Sequence, residues 1–161
     1  MSVLLPMLED DFYRFKTEAI ARYANDQIAA RRWPVEGAVK RATEEFDRIL
    51  PNGLSTPHHH IFCIVEPATQ SPVGSLWIAH ATWSGSHEVF VHDVHIRESC
   101  RRKGYARQAF QALEAFAAKN GAVSIGLHVF GHNASANALY ISLGFNVTSH
   151  NMHKAIAHTS T

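Results

Sequence analysis

Apolar and polar residues repeat with two different periods along this chain, and each change of period marks an element. Residues 2–8 are a short apolar stretch broken by Pro6, which predicts a first edge strand, where a missing N–H is tolerated. Phe12, Phe15, Ala19 and Tyr23 then recur at spacings of three and four, the period of a helix, with Asp10 placed to cap it and Trp33-Pro34 to end it. Val35, Val39, Ala42, Phe46 and Ile49 predict the buried stripe of a second helix, stopped by Pro51-Asn52-Gly53.

From there the period is two. Residues 58–66 and 73–82 are rich in branched and aromatic residues and flank a turn-like 67–72, which predicts an antiparallel pair. Ser84-Gly85-Ser86 makes the next turn, and 88–96 adds a third strand to this meander. Helical spacing returns with Ala106, Ala109, Phe110, Leu113, Phe116 and Ala117, ending at Asn120-Gly121. A strand over 122–130 should lie parallel to the 89–96 strand, because a helix intervenes. Asn133 caps a short helix over 133–143, Gly144 terminates it, and 145–157 predicts a last strand. The reading is α/β: a mixed, mostly antiparallel sheet with helices on both faces, in a single domain over 1–157 with a short tail at 158–161.

Composition narrows the function classes. At 161 residues and 46% apolar content, the chain can bury a core without disulfides or a structural metal. A net charge of +1 gives no global field for nucleic acid or an anionic membrane, so any basic site must be local. Two cysteines, Cys63 and Cys100, make no framework, and no apolar run approaches the length of a membrane span. These features fit a reduced, cytoplasmic setting without nucleic-acid or membrane partners. Twelve histidines are the one unusual count. Alternation puts His58 and His60 on one strand face, where His80 could join them. No carboxylate or cysteine completes a ligand spacing, so no metal is expected.

The stretch with the most chemistry is Arg101-Arg102-Lys103-Gly104-Tyr105-Ala106, between the 89–96 strand and the 105–120 helix. Three cations at a helix N-terminus oppose the helix dipole unless an anion joins them. Amides freed by a turn at Gly104 would hold a phosphate or pyrophosphate. With one glycine and no following Gly-Lys-Ser/Thr, a nucleoside-triphosphate loop is excluded by its own spacing.

Two segments together resemble the GNAT superfamily of acyl-CoA-dependent N-acetyltransferases. Arg101-Arg102-Lys103-Gly104-Tyr105-Ala106 is similar to that family's Gln/Arg-x-x-Gly-x-Gly/Ala loop, preceded by the strand Val94-His95-Ile96. The segment from Asn133 to Phe145 is similar to its Asn-x-x-Ala-x-x-Leu-Tyr-x-x-Leu-Gly-Phe helix-to-strand motif. The tail around Met152 and Lys154, with the segment 50–60, resembles a little-characterised bacterial branch. The resemblance implies acetyl-CoA as cosubstrate, its pyrophosphate on the loop carrying Arg101, Arg102, Lys103, Gly104, Tyr105 and Ala106. Its pantetheine arm would pair with the backbone of Val94 and Ile96, beside a bulge that splays the strand, and Asn133 would contact the cofactor.

The resemblance also implies direct transfer of acetyl to a primary amine in a ternary complex. Tyr140 would then give its proton to the departing thiolate, a phenol of pKa ~10 protonating a thiolate whose parent thiol lies near ~8.5. A backbone N–H near Val94 would meet the oxyanion. Glu88, His92, Asp93 and His95 share one strand as candidate bases, with Asp93 first because apolar neighbours would raise its pKa, and His95 second. Cys100 raises a two-step acetyl-cysteine route, against the family's general habit. A non-catalytic acyl-CoA-binding module is the competing class. The last strand offers an edge for a homodimer.

Overall fold

The chain, described over residues 2–158 by a computed structural model, folds around one five-stranded sheet. β1 (Leu4–Pro6), β2 (His59–Val65), β3 (Pro72–Trp83) and β4 (Ser86–Ile96) pair antiparallel in sequence order, and β5 (Ser124–Leu127) pairs parallel to β4. Four helices cover it: α1 (Glu9–Ala29) and α2 (Ala38–Ile49) on one face, α3 (Tyr105–Lys119) and α4 (Ala134–Ser142) on the other. The mixed, mostly antiparallel sheet with helices on both faces is therefore as the hydrophobic pattern predicts.

Each face has its own core. On the α1/α2 side, Phe15, Phe46, Ile61 and Trp77 meet, with Phe46 and Trp77 ring centroids 5.1 Å apart. On the α3 side, Phe110 and Leu113 of α3 pack over Ile64, Leu76, Ile78 and Val89, all essentially solvent-free. Burying a side chain of this size stabilises the fold by roughly 1.5–3 kcal/mol, so α3 is held to the sheet chiefly by this stripe.

β4 carries the feature that matters most for function. Trp77 pairs with Asp93 and Ile78 with Val91, so His92 is an extra residue in β4 with no partner in β3. Such a bulge breaks the two-residue alternation. Val89 and Val91 pack on the α3 side, and after the bulge so do Val94 and Ile96. His92 and Asp93 consequently both project to the α1/α2 side, where His92 stacks on Trp77 and Asp93 meets Arg22. Beyond the bulge, β3 comes unusually close: a Cβ at Gly74 would lie 2.1 Å from the His95 carbonyl oxygen.

The structure corrects several expectations. No strand forms over 145–157: residues 146–158 have no helix, strand or turn and are exposed throughout. Their apolar residues are separated by runs of polar ones and meet no sheet edge in the same chain. The strand expected over 122–130 shortens to four residues, because β5 leaves β4 at the bulge. α1 begins at Glu9 after Leu8, so Asp10 lies in its first turn rather than capping it, and it ends at Ala29, before Trp33. Val35 is exposed at 76% because α2 begins only at Ala38, and Val39, inside the helix, is exposed at 60% because the face turned to the core is that of Ala38, Ala42 and Phe46. Of the tail expected at 158–161, residues 159–161 lie outside the described residues.

Candidate active site

The loop after β4 turns on two residues in the left-handed region, Arg102 (φ 63°) and Gly104 (φ 84°), and Gly104 stands at the N-cap of α3 without a side-chain cap. The first helical bond from this end is Gln108 N–H to Gly104 O, at 3.0 Å. The amides of residues 102–107 thus have no partner among the described residues. A run of free N–H groups at the positive end of a 15-residue helix is an anion cradle. A Cβ at Gly104 would meet nothing within 4 Å, so the glycine serves the backbone conformation and not a packing contact. Arg101 differs from its neighbours: its Nε donates to Ile96 O at 3.0 Å, folding the side chain back on the strand.

Next to the cradle the sheet opens. β4 and β5 pair only from Glu88↔Ser124 to Val91↔Leu127, and the bulge at His92 marks where the parallel pairing stops. Arg97 N–H donates to Val73 O on β3 at 2.8 Å, so by alternation the backbone groups of Val94 and Ile96 face the other way, along the open side of β4. The cradle and this open edge are what a thioester carrier with a diphosphate needs. Residues 102–107 would hold its charged end and the edge at Val94 and Ile96 would guide its arm, so the residues present fit acetyl-CoA.

Tyr140, on α4, packs against the core on the α3 side of the sheet. Its ring packs against Phe110 and Phe145, with centroids 5.6 and 5.8 Å away. Burial, and secondarily the charge of Asp93, push its phenol up to about 12, so it keeps its proton at every physiological pH. Asn133 caps α4 by accepting from Ala136 N–H at 3.3 Å. Gly144 (φ 94°) ends the helix and Phe145 turns back onto α3.

Asp93 lies opposite. Its Oδ2 accepts from Arg22 Nη2 at 2.8 Å, while Oδ1 has no hydrogen-bond partner among the described residues. Burial raises its carboxyl pKa and Arg22 pulls it back down. His95 faces an open groove of about 570 Å³ lined by Arg14, Glu18, Arg22 and Arg97. Burial first, then Arg22, Arg101 and Arg97, lower its imidazole to about 4. His92, stacked on Trp77 with centroids 4.6 Å apart, is also lowered to about 4, by burial and then by His59. Glu88 is buried on the α1/α2 side near Ser124 and over Gly126. His60 and His80 approach to 3.2 Å between Nε2 atoms, with His87 2.9 Å from the other nitrogen of His80. His58 is exposed at the strand end.

Arg22 was not among the residues singled out from the sequence. Its signal was there: Phe15, Ala19, Arg22 and Asp26 continue one helical stripe, and a cation within an apolar stripe implies a buried partner. Four residues further along α1, Asp26 meets His132, in the turn before α4, at 3.4 Å.

A sheet whose parallel pairing stops at a bulge, with an amide cradle at the start of the next helix, is the arrangement of an acyl-CoA-dependent acyltransferase fold. The chain belongs to the acetyltransferase (GNAT) family, whose model matches residues 22–145. It is 36% identical over 154 residues to the uncharacterised N-acetyltransferase YycN of Bacillus subtilis, covering 96% of this chain and 98% of that one. A second B. subtilis protein, the uncharacterised N-acetyltransferase YdgE, is 28% identical over 93% of this chain and 95% of its own. The crystal structure of YycN superimposes with a TM-score of 0.91 over 96% of this chain and 98% of that chain.

Proposed function

We propose that the protein transfers acetyl from acetyl-CoA to a primary amine by direct attack within a ternary complex. The observation that carries this reading is the run of unpartnered amides at 102–107 beside the open edge of β4, in a chain of the GNAT family. Acetyl-CoA supplies a thioester whose carbonyl an uncharged amine attacks and whose thiolate leaves.

This chain's residues then have distinct tasks. Amides 102–107 and the cations Arg102 and Lys103 hold the diphosphate. The backbone of Val94, beyond the bulge, presents its N–H to the developing oxyanion. Oδ1 of Asp93 takes the proton released by the amine, directly or through a water, while Arg22 keeps the carboxylate oriented through Oδ2. His95, unprotonated at neutral pH, is the second acceptor. Tyr140 donates a hydrogen bond to the leaving sulfur. With its pKa near 12 it is too weak an acid to give its proton outright to a thiolate of ordinary pKa ~8.5, so it stabilises the sulfur as a hydrogen-bond donor.

Coenzyme A release across a panel of amines (polyamines, aminoglycosides, amino acids, peptide N-termini and lysine side chains) tests the proposal. Turnover with one class supports it. Tight acetyl-CoA binding with no release on any class would favour a non-catalytic acyl-CoA-binding module.

A further inference from the structure

The groove that His95 faces has charged walls with a definite order along it. On one side α1 contributes Arg14, Glu18, Ala21 and Arg22, which share one helical face; on the other lie His95 and Arg97 of the β4 strand end. Arg22 meets Asp93 at 2.8 Å, and Arg14 lines a further cavity of about 150 Å³ together with Arg97. Eight residues of helix advance roughly 12 Å and four of strand roughly 13 Å, so the two walls keep step. The groove thus has three rungs: Arg22 with Asp93, Glu18 with His95, and Arg14 with Arg97.

The rungs differ in how their charges are met. The first closes on its own ion pair. At the last, Arg14 has only an exposed contact of 3.2 Å to Asp11, which costs little to give up, and the Arg97 guanidinium has no side-chain partner among the described residues. Glu18, on the middle rung, likewise pairs with no cation among the described residues, although it lines both cavities. A polyamine, cationic at every polar end, has nothing to offer Arg97. A ligand with a carboxylate beside an ammonium meets both unpartnered groups at once.

We infer that the acceptor is a free diamino acid of the lysine class: Arg97 and Arg14 take its carboxylate, Glu18 takes its α-ammonium, and its side-chain amine reaches back toward His95 and Asp93. The inference rests on acetyl transfer to a primary amine and names that amine. From the α-carbon of lysine to its terminal nitrogen, five extended bonds cover roughly 6 Å, close to one rung of the groove. The methylenes then run past Ala21, which lies between Glu18 and Arg22. An α-amine is too near its own carboxylate to span that step, so the side-chain nitrogen is the one acetylated. Its C–N bond forms as the C–S bond of acetyl-CoA breaks; one amine proton passes to Asp93 and coenzyme A leaves.

Steady-state coenzyme A release with lysine, with cadaverine (lysine without its carboxylate) and with 6-aminohexanoate (lysine without its α-amine) tests the inference. Lysine should exceed each of the other two at least ~10-fold in kcat/KM, and the product should carry acetyl on its side-chain nitrogen. Arg97→Gln should bring the lysine-to-cadaverine ratio toward one, chiefly through KM for lysine, and Glu18→Gln should do the same to the lysine-to-6-aminohexanoate ratio. If a variant fails to fold, the wild-type ratios and the position of the acetyl group decide alone. Release from cadaverine or 6-aminohexanoate as fast as from lysine, acetyl on the α-nitrogen, or ratios that neither variant moves would overturn the inference and leave acetyl transfer standing. No release from any class of amine would overturn acetyl transfer itself, and this inference with it.

Discussion

The guanidinium of Arg22, in the fourth turn of α1, lies 2.8 Å from the carboxylate of Asp93, the residue that follows the bulge in β4. The pair ties a helix to the strand 71 residues away at the point where the sheet opens. Both side chains keep about a quarter of their surface, 26% and 22%, so the bond is neither fully dry nor freely solvated. Its energetic worth should fall between the ~0–1 kcal/mol of surface pairs and the ~3–5 kcal/mol cost of breaking a buried one.

Arg22→Met should therefore destabilise the fold by ~1–3 kcal/mol at neutral pH. Arg22 lowers the Asp93 pKa against the raising effect of burial, so removing it lets that pKa rise. The ascending limb of kcat/KM against pH should move to higher pH, and the stability loss should shrink on acidification as Asp93 protonates. A pH–rate profile that does not move would remove Asp93 from proton transfer.

Tyr140→Phe should lower kcat by roughly 10²- to 10⁴-fold with acetyl-CoA affinity preserved, because the hydroxyl is used only as sulfur departs. In the wild type, a phenol near 12 predicts no loss of activity from Tyr140 ionisation up to about pH 10. Steady-state kinetics beside equilibrium binding check both points.

Gly104→Val places a β-branched residue at φ 84° in open space. No neighbour is struck, so the fold should survive with a strained or flipped loop. Acetyl-CoA affinity should fall by tenfold or more while the far-ultraviolet spectrum is unchanged. Titration calorimetry with unaltered affinity would contradict the loop's assignment.

Acid should weaken the fold through its histidines. His92 and His95 have folded-state values near 4 against an ordinary 6.5, so between those limits the unfolded chain binds protons that the folded chain refuses. Their contribution is complete above about pH 6.5 and is lost as pH falls toward 4. The slope is at most ~1.4 kcal/mol per pH unit for each imidazole. Denaturant unfolding at a series of pH values should show it, and His92→Gln should flatten the curve.

Much of this was legible in the residue pattern. The loop at 101–106, the Asn133 cap, the α3 stripe and the parallel return of β5 all follow from local rules of periodicity and capping. Even the bulge left a trace, since the apolar positions of β4 change from Val89 and Val91 to Val94 and Ile96. Arg22 was missed because its partner is 71 residues away and nothing local announces it. Val35 misled because apolar spacing says nothing about where a helix starts, which here waits for Gly37 in the left-handed region, and Val39 misled because the buried face is set by the small residues Ala38 and Ala42 with Phe46. The strand over 145–157 did not form although the outer edge of β5 is bare, because strand pairing depends on where the segment runs and nothing in the residue pattern fixes that.

The central claim is that the free amides after β4 grip the charged end of the thioester carrier and so aim its acyl end at Tyr140. A crystal structure with bound acetyl-CoA tests it most directly. The account predicts the diphosphate within hydrogen-bonding distance of the amides of residues 102–106, with the sulfur beside the Tyr140 hydroxyl. A diphosphate bound elsewhere, or a sulfur remote from Tyr140, would contradict it.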